Sequence, residues 1–312
     1  MKKMKLFHTI GLAVAVLTAI SSCKKYESFE TDYDYTAVYF ASQRPLRTVV
    51  AYDQMQFKVG VALGGVRENK REETVTYAID PDLLNSVPGA SRFKLLPASY
   101  YTLSSPDKMV VPVGALIGDV TVTLNRDLFT SDPDAKNNIY ALPLRIVSST
   151  TDSVIRGNTG APAKDYTVLV VKYISPQHGT YYHKGIEEKV DAAGAVIETI
   201  RYSNKDLSRN ATWDLGTVSL KETQTSGVGS RTTGRLNLLT ASSNTVTVAA
   251  ASGVTVNSGT GTYDPSAKAY YLQYQYTQGS GATLAQYMVK DTLILRQAPE
   301  KDLRFEEWPI IP

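Results

Sequence analysis

The 312-residue chain has a single cysteine, Cys23, so no disulfide can form within it. Any fold it adopts must be held by its apolar cores. Only two tryptophans, Trp213 and Trp308, and three histidines, His8, His178 and His183, occur. An excess of charge of one sign is missing too. Lys2, Lys3 and Lys5 account for the whole formal charge of +3, and from residue 23 onward Lys+Arg equals the 30 Asp+Glu. The sequence pI of about 8.7 therefore reflects the first few residues, and binding to nucleic acid or another polyanion is not expected. Beyond residue 22 no run reaches the roughly 20 apolar residues that cross a bilayer. Catalytic signatures are missing as well: no Gly-x-Ser-x-Gly elbow, no phosphate-cradling Gly-x-x-x-x-Gly-Lys, no Gly-x-Gly-x-x-Gly and no His-Glu-x-x-His.

What is present begins at the start of the chain. Three lysines precede an apolar run over residues 10–20; at about eleven residues it suits a signal-peptide core rather than a membrane span. Ile20-Ser21-Ser22-Cys23 closes this stretch and resembles the lipobox cut by lipoprotein signal peptidase. That resemblance implies a leader of residues 1–22 and a mature N-terminus at Cys23. There acyl chains such as palmitate would be carried on sulfur and nitrogen. Several chains on one residue give stable anchoring, where a single chain is marginal. An ordinary secretory leader is the other reading.

Twenty tyrosines stand against seven phenylalanines, a composition that favours strands. Residues 23–34 are polar and read as a tether. Between 35 and 175, strand patterns recur at 36–41, 55–63, 74–79, 110–113, 118–124, 140–147 and 166–173, with one helical turn near 81–86. Short strands at this spacing predict an immunoglobulin-like β-sandwich. Ser175-Pro176-Gln177-His178-Gly179 breaks the pattern. From 179 to 312 eight further strands joined by turn signals predict a small up-and-down antiparallel barrel, with Trp308-Pro309 packing back onto it. The fold class is thus all-β, a sandwich followed by a lipocalin-like barrel.

Leu96-Pro97-Ala98-Ser99-Tyr100-Tyr101-Thr102-Leu103, Val110-Val111-Pro112-Val113-Gly114 and Tyr140-Ala141-Leu142-Pro143-Leu144-Arg145-Ile146 form an ordered set. It resembles the N-terminal domain of unknown function common in Bacteroidetes outer-membrane lipoproteins. The second half, from Gly179-Thr180-Tyr181-Tyr182-His183-Lys184-Gly185, is similar to the lipocalin-like domain that follows it in many such proteins. The resemblance implies a non-catalytic, lipid-anchored outer-membrane protein, exposed at the cell surface, that binds polysaccharide or oligosaccharide in a polysaccharide-utilisation system. It names no binding residue and no cofactor. Two alternatives stand beside it: an interaction module in an outer-membrane glycan-transporter complex, and a lipocalin-like carrier whose barrel holds a small apolar ligand. A glycoside-hydrolase barrel needs more than roughly 200 residues, and fewer follow the break at 175–179.

For a sugar, the candidate residues are aromatic and amide side chains. Alternation along 269–277 places Tyr270, Leu272, Tyr274 and Tyr276 on one side, which reads as core. Tyr271, Gln273 and Gln275 share the other, a wet binding face or a plain solvated one. Trp213, flanked by Asn210 and Asp214, is either a sugar platform or a buried tryptophan. His183 and Glu187 would share one strand face about 13 Å apart, too far for one metal, and read as surface or hairpin residues. Asp80-Pro81-Asp82 and Asp132-Pro133-Asp134 carry oxygens that calcium could use but read as plain turns.

Overall fold

The computed structural model describes residues 35–303 and 305–310. The leader, Cys23 and the tether fall outside the described residues. The first part contains β1 (Ala37–Phe40), β2 (Pro45–Val50), β3 (Gln56–Gly64), β4 (Glu73–Ile79), β5 (Lys94–Leu95), β6 (Tyr101–Leu103), β7 (Lys108–Val111), β8 (Ile117–Leu124), β9 (Tyr140–Ser149), β10 (Ser153–Val154) and β11 (Tyr166–Ile174). The second contains β12 (Gly179–Val190), β13 (Val196–Tyr202), β14 (Ala211–Thr217), β15 (Glu222–Thr225), β16 (Arg235–Thr240), β17 (Thr245–Ser252), β18 (Thr255–Asp264), β19 (Ala269–Gln278) and β20 (Ala285–Leu295), followed by β21 (Glu306–Glu307).

The first part is a β-sandwich, as the strand spacing predicts. One sheet runs β10-β1-β3-β8-β6 and the other β21-β2-β11-β9-β4-β7. Val38, Phe40, Val61 and Val122 of the first sheet meet Tyr77, Leu144, Ile146 and Val171 of the second in one core. Strands β9 and β11 are each buried over five consecutive residues, because their sheet is covered on both faces. Its outer face packs on Leu83, Leu84, Val87 and Phe93, and on Trp308 from the far end of the chain. The tail is thus a correction to the expected packing on the barrel. Trp308 is fully buried against the sandwich, and β21 extends the sandwich sheet through β2. The ring covers the apolar outer face that Leu46 of β2, Ala141 of β9 and Val168 and Val170 of β11 offer.

Two further differences are local. Helix α1 (Leu83–Ser86) lies where one turn was expected, but a second helix, α2 (Arg126–Ser131), is also present. Asn125 caps it by accepting from the Leu128 N–H, a side-chain cap of the usual kind. Strand β2 lacks alternation because it pairs in parallel with β11 inside a doubly covered sheet.

The second part is a barrel of β12 and β14 to β20, closed by the pairing of β12 with β20. Strand β12 spends its other edge twice. Its first half pairs with β14 and its second half with β13, so β13 and β14 form one return strand broken by residues 203–210. Asn210 holds that excursion by accepting from the Asn204 N–H and donating to three backbone carbonyls. The turn after β14 docks onto the sandwich, where Lys136 donates to the Val218 carbonyl at 2.6 Å and Ser175 to that of Leu220 at 3.1 Å.

Candidate functional site

Alternation along β12, β19 and β20 determines what the barrel encloses. Tyr181, His183 and Glu187 of β12 point inward, with Tyr270, Leu272, Tyr274 and Tyr276 of β19 and Val289, Asp291 and Leu293 of β20; all ten are buried. The expected core set on β19 is therefore inside. His183 and Glu187 are a correction: they are 3% and 1% exposed, not surface residues. Buried charge is tolerated only when paired and hydrogen-bonded, and both conditions are met. Asp291 Oδ1 lies 3.0 Å from His183 Nε2 and accepts from the Tyr202 hydroxyl, while Oδ2 accepts from Tyr274 at 2.7 Å. Glu187 accepts from the Ser230 N–H and hydroxyl, from Tyr276 and from Arg231.

Space for these groups comes from glycine. A Cβ on Gly185 would run into Asp291 Oδ1, and one on Gly229 would fall on the Glu187 carboxylate. Burial first, and then the neighbouring carboxylates, push the phenols of Tyr202, Tyr274 and Tyr276 well above their ordinary value. Burial opposes the charge of Arg231, yet Tyr276 and Glu187 hold it above its usual value. With Leu236, Leu238, Val246 and Val248 filling the rest, the barrel interior is a packed core of tyrosine, leucine and valine, which argues against the small-ligand carrier.

Trp213 lies in this core, 6% exposed. His183 stacks on one face at 3.7 Å between ring centroids and 25° between planes, and Gly227 lies so near that a Cβ there would stand 3.1 Å from the indole nitrogen. Neither arrangement leaves a broad open ring face for a sugar. Beside it, where β13 and β14 part, a side cleft of about 370 Å³ opens between residues 203–213 and the 226–232 loop. Its floor consists of the His183, Tyr202 and Trp213 rings, and Asn204, Arg209 and Arg231 are among its walls.

Tyr271, Gln273 and Gln275 are all exposed on the outer wall of the barrel. Register aligns Thr262, Tyr271, Thr292 and Lys184 in one cross-strand row, Thr260, Gln273, Lys290 and Ile186 in the next, and Ser258, Gln275, Met288 and Glu188 in a third. Two hollows of about 420 and 160 Å³ lie along this wall and share Gln273 and Lys290. Of the four residues singled out from sequence, the structure thus brings three together and places Trp213 inside the barrel, on a different site.

A third cleft, about 350 Å³, lies between the two parts and includes Lys172, His178, Asp214, Arg296 and Glu306. His178 Nδ1 accepts from the Thr217 N–H, and burial, then Lys172, lower its pKa. Both Asp-Pro-Asp segments are turns: Asp80 accepts from Arg145 and the Asp82 N–H, Asp132 from Tyr100, Tyr140 and the Asp134 N–H. Among the described residues no three His, Cys, Asp or Glu side chains are grouped to hold a metal. Nor is any helix long and apolar enough to cross a membrane among them.

No curated protein matches the sequence. A family model described as "-like, N-terminal domain" matches residues 33–153, overlapping the stretch 35–175 that resembles such an N-terminal domain. A Bacteroides ovatus protein of unknown function aligns at 24% identity over 85% of this chain and 95% of its own, with a TM-score of 0.68. A multidomain Bacteroides ovatus protein aligns at 13% identity, 88% and 100% coverage and a TM-score of 0.43. Another, provisionally described as a carbohydrate-binding protein from the same species, aligns at 14%, 68% and 66%, with a TM-score of 0.32. The chain therefore shares the fold of the first of these Bacteroides ovatus proteins, and its N-terminal part is similar to an N-terminal domain family.

Proposed function

We propose that this protein is a non-catalytic, lipid-anchored protein of the outer-membrane surface that captures glycan on the outer wall of its barrel. One observation carries the reading. Tyr271 is 48% exposed in the middle of a polar wall, with Gln273, Gln275 and Lys290 bordering two adjoining hollows. Tyrosine offers an apolar ring face that suits the C–H face of a sugar, with a polar tip. Flanking amides and an ammonium meet hydroxyls as donors and acceptors. Rows of rigid strands place these groups along a line, which suits an extended chain. The lipobox-like Ile20-Ser21-Ser22-Cys23 supports the anchor.

Affinity electrophoresis in gels containing plant, host or microbial polysaccharides tests the binding. Retention in at least one gel is expected, together with its loss in Tyr271→Ala at unchanged thermal stability. Migration unaltered in every gel would overturn the reading. For the anchor, Cys23→Ser should move the protein from the membrane fraction to the soluble one, and mass spectrometry of the N-terminal peptide should show acylated Cys23.

A further inference from the structure

We infer that the side cleft beside Trp213 is a second saccharide site, taking one uncharged sugar unit end-on, as a chain end or branch. The inference rests on the glycan-binding reading but on different residues. Its first support is charge. Each ionised group at or behind the cleft is already compensated: Glu187 by Arg231 at 2.5 Å, Arg209 by Asp206 at 3.5 Å, and Asp291 by hydrogen bonds to His183, Tyr202 and Tyr274. The cleft therefore carries no ion that lacks a protein partner for a charged ligand to neutralise. A neutral polyol needs none.

The second support is the pattern of open valences. Asp291 Oδ1 takes the Nε2 side of the His183 ring at 3.0 Å, so Nδ1 is the ring nitrogen left without that partner. Nδ1 has no partner among the described residues, yet it is not among the buried atoms left without one, and His183 borders the cleft. Arg231 uses Nη1 for Glu187 and Tyr276 and lies over the Tyr287 ring at 4.1 Å; Nε and Nη2 have no hydrogen-bond partner among the described residues. The cleft thus offers an imidazole nitrogen on one side and guanidinium N–H donors on the other, which suits hydroxyl groups, since each can donate and accept. Third, the floor is fixed by buried bonds before any ligand arrives, so little ordering cost remains on binding. The volume of about 370 Å³ lies near the lower end of small-molecule sites.

Calorimetric titration of the Cys23→Ser full chain with neutral mono- and disaccharides, glucuronic acid and glucosamine tests this. Thr212→Phe and Thr232→Phe fill the cleft from its exposed rim without touching the buried bonds. Each should weaken binding of the best neutral sugar about tenfold or more, while Tyr271→Ala leaves that affinity unchanged and impairs polysaccharide retention. Small-sugar binding that survives both rim variants overturns the inference, as does preference for a charged sugar or no small-sugar binding while polysaccharide is still retained. Loss of polysaccharide retention by the unmodified wall would count instead against the glycan-binding reading.

Discussion

The indole N–H of Trp308 donates to the Val168 carbonyl at 2.8 Å across 140 residues of chain. Together with the Phe93 ring, set edge-on at 5.1 Å, this contact makes the end of the chain part of the apolar cluster on the outer face of the sandwich sheet. Trp308→Ala should cost about 3–5 kcal/mol, the usual penalty for emptying a buried tryptophan site. Thermal unfolding followed by near-ultraviolet circular dichroism, with hydrogen exchange to locate the loss, checks this. Protection should fall in β2, β9 and β11 and remain in the barrel.

Glu187 lies in the barrel with its four bonds made by residues 230, 231 and 276. Glu187→Ala leaves the Arg231 guanidinium partly buried without its counter-ion, a loss of roughly 3–5 kcal/mol for such pairs. Glu187→Gln keeps an acceptor and should lose less. Urea unfolding midpoints rank the two variants, and equal midpoints would show the pair to be idle.

Gly229 has φ +54° and its added Cβ would collide with the Glu187 carboxylate. Gly229→Ala should therefore destabilise by more than the roughly 1–2 kcal/mol of left-handed backbone alone. A double-mutant cycle with Glu187→Gln gives the coupling, expected to be non-zero because the two sites touch.

Alkali should open the barrel through its tyrosines. Burial pushes Tyr270 up to about 12 and Tyr181, Tyr202, Tyr274 and Tyr276 higher still. In the sandwich, burial and then Asp107 and Tyr101 raise Tyr77 to about 12. These phenols are neutral in the folded state and ionise near their ordinary value of about 10 once unfolded. Their contribution is therefore fully present below about pH 10 and is lost as pH rises from there through the folded values. Absorbance titration of phenolate should show a cooperative late step coinciding with loss of circular dichroism. Smooth ionisation of every tyrosine before unfolding would contradict it.

At the acid end the relevant group is Asp132. Partial burial raises its pKa, but bonds from Tyr140, the Asp134 N–H and Tyr100 outweigh that and lower it below the ordinary value of a carboxyl. A depressed carboxyl contributes stability above its unfolded pKa and loses it as pH falls through the folded value. The stability gap between Asp132→Asn and the parent should thus be present at neutral pH and shrink below about pH 4, as chemical denaturation at several pH values will show.

Much of the barrel wall is legible along 269–277, where the period of two separates Tyr270, Leu272, Tyr274 and Tyr276 from Tyr271, Gln273 and Gln275, and the burial follows that division. The same period on β12 gives Tyr181, His183 and Glu187 one face, but it cannot show that the face is inside. Their partners Asp291 and Arg231 are 108 and 44 residues away, and a polar side chain carries no local sign of a distant counter-charge. Strand β15 is short and rich in polar residues, and β20 begins at Ala285, earlier than the apolar Leu293-Ile294-Leu295 suggests.

The sequence by itself determined most of the local elements, because alternation, turn residues and a broken pattern at 175–179 are properties of neighbours along the chain. Only the tertiary structure decided which face of each strand became interior, that two carboxylates could be buried there, that Trp213 is covered by His183, and that Trp308 belongs to the sandwich. Each of those outcomes depends on what a residue meets across the fold: a matched charge, a stacked ring or an uncovered apolar face supplied by chain far away in sequence.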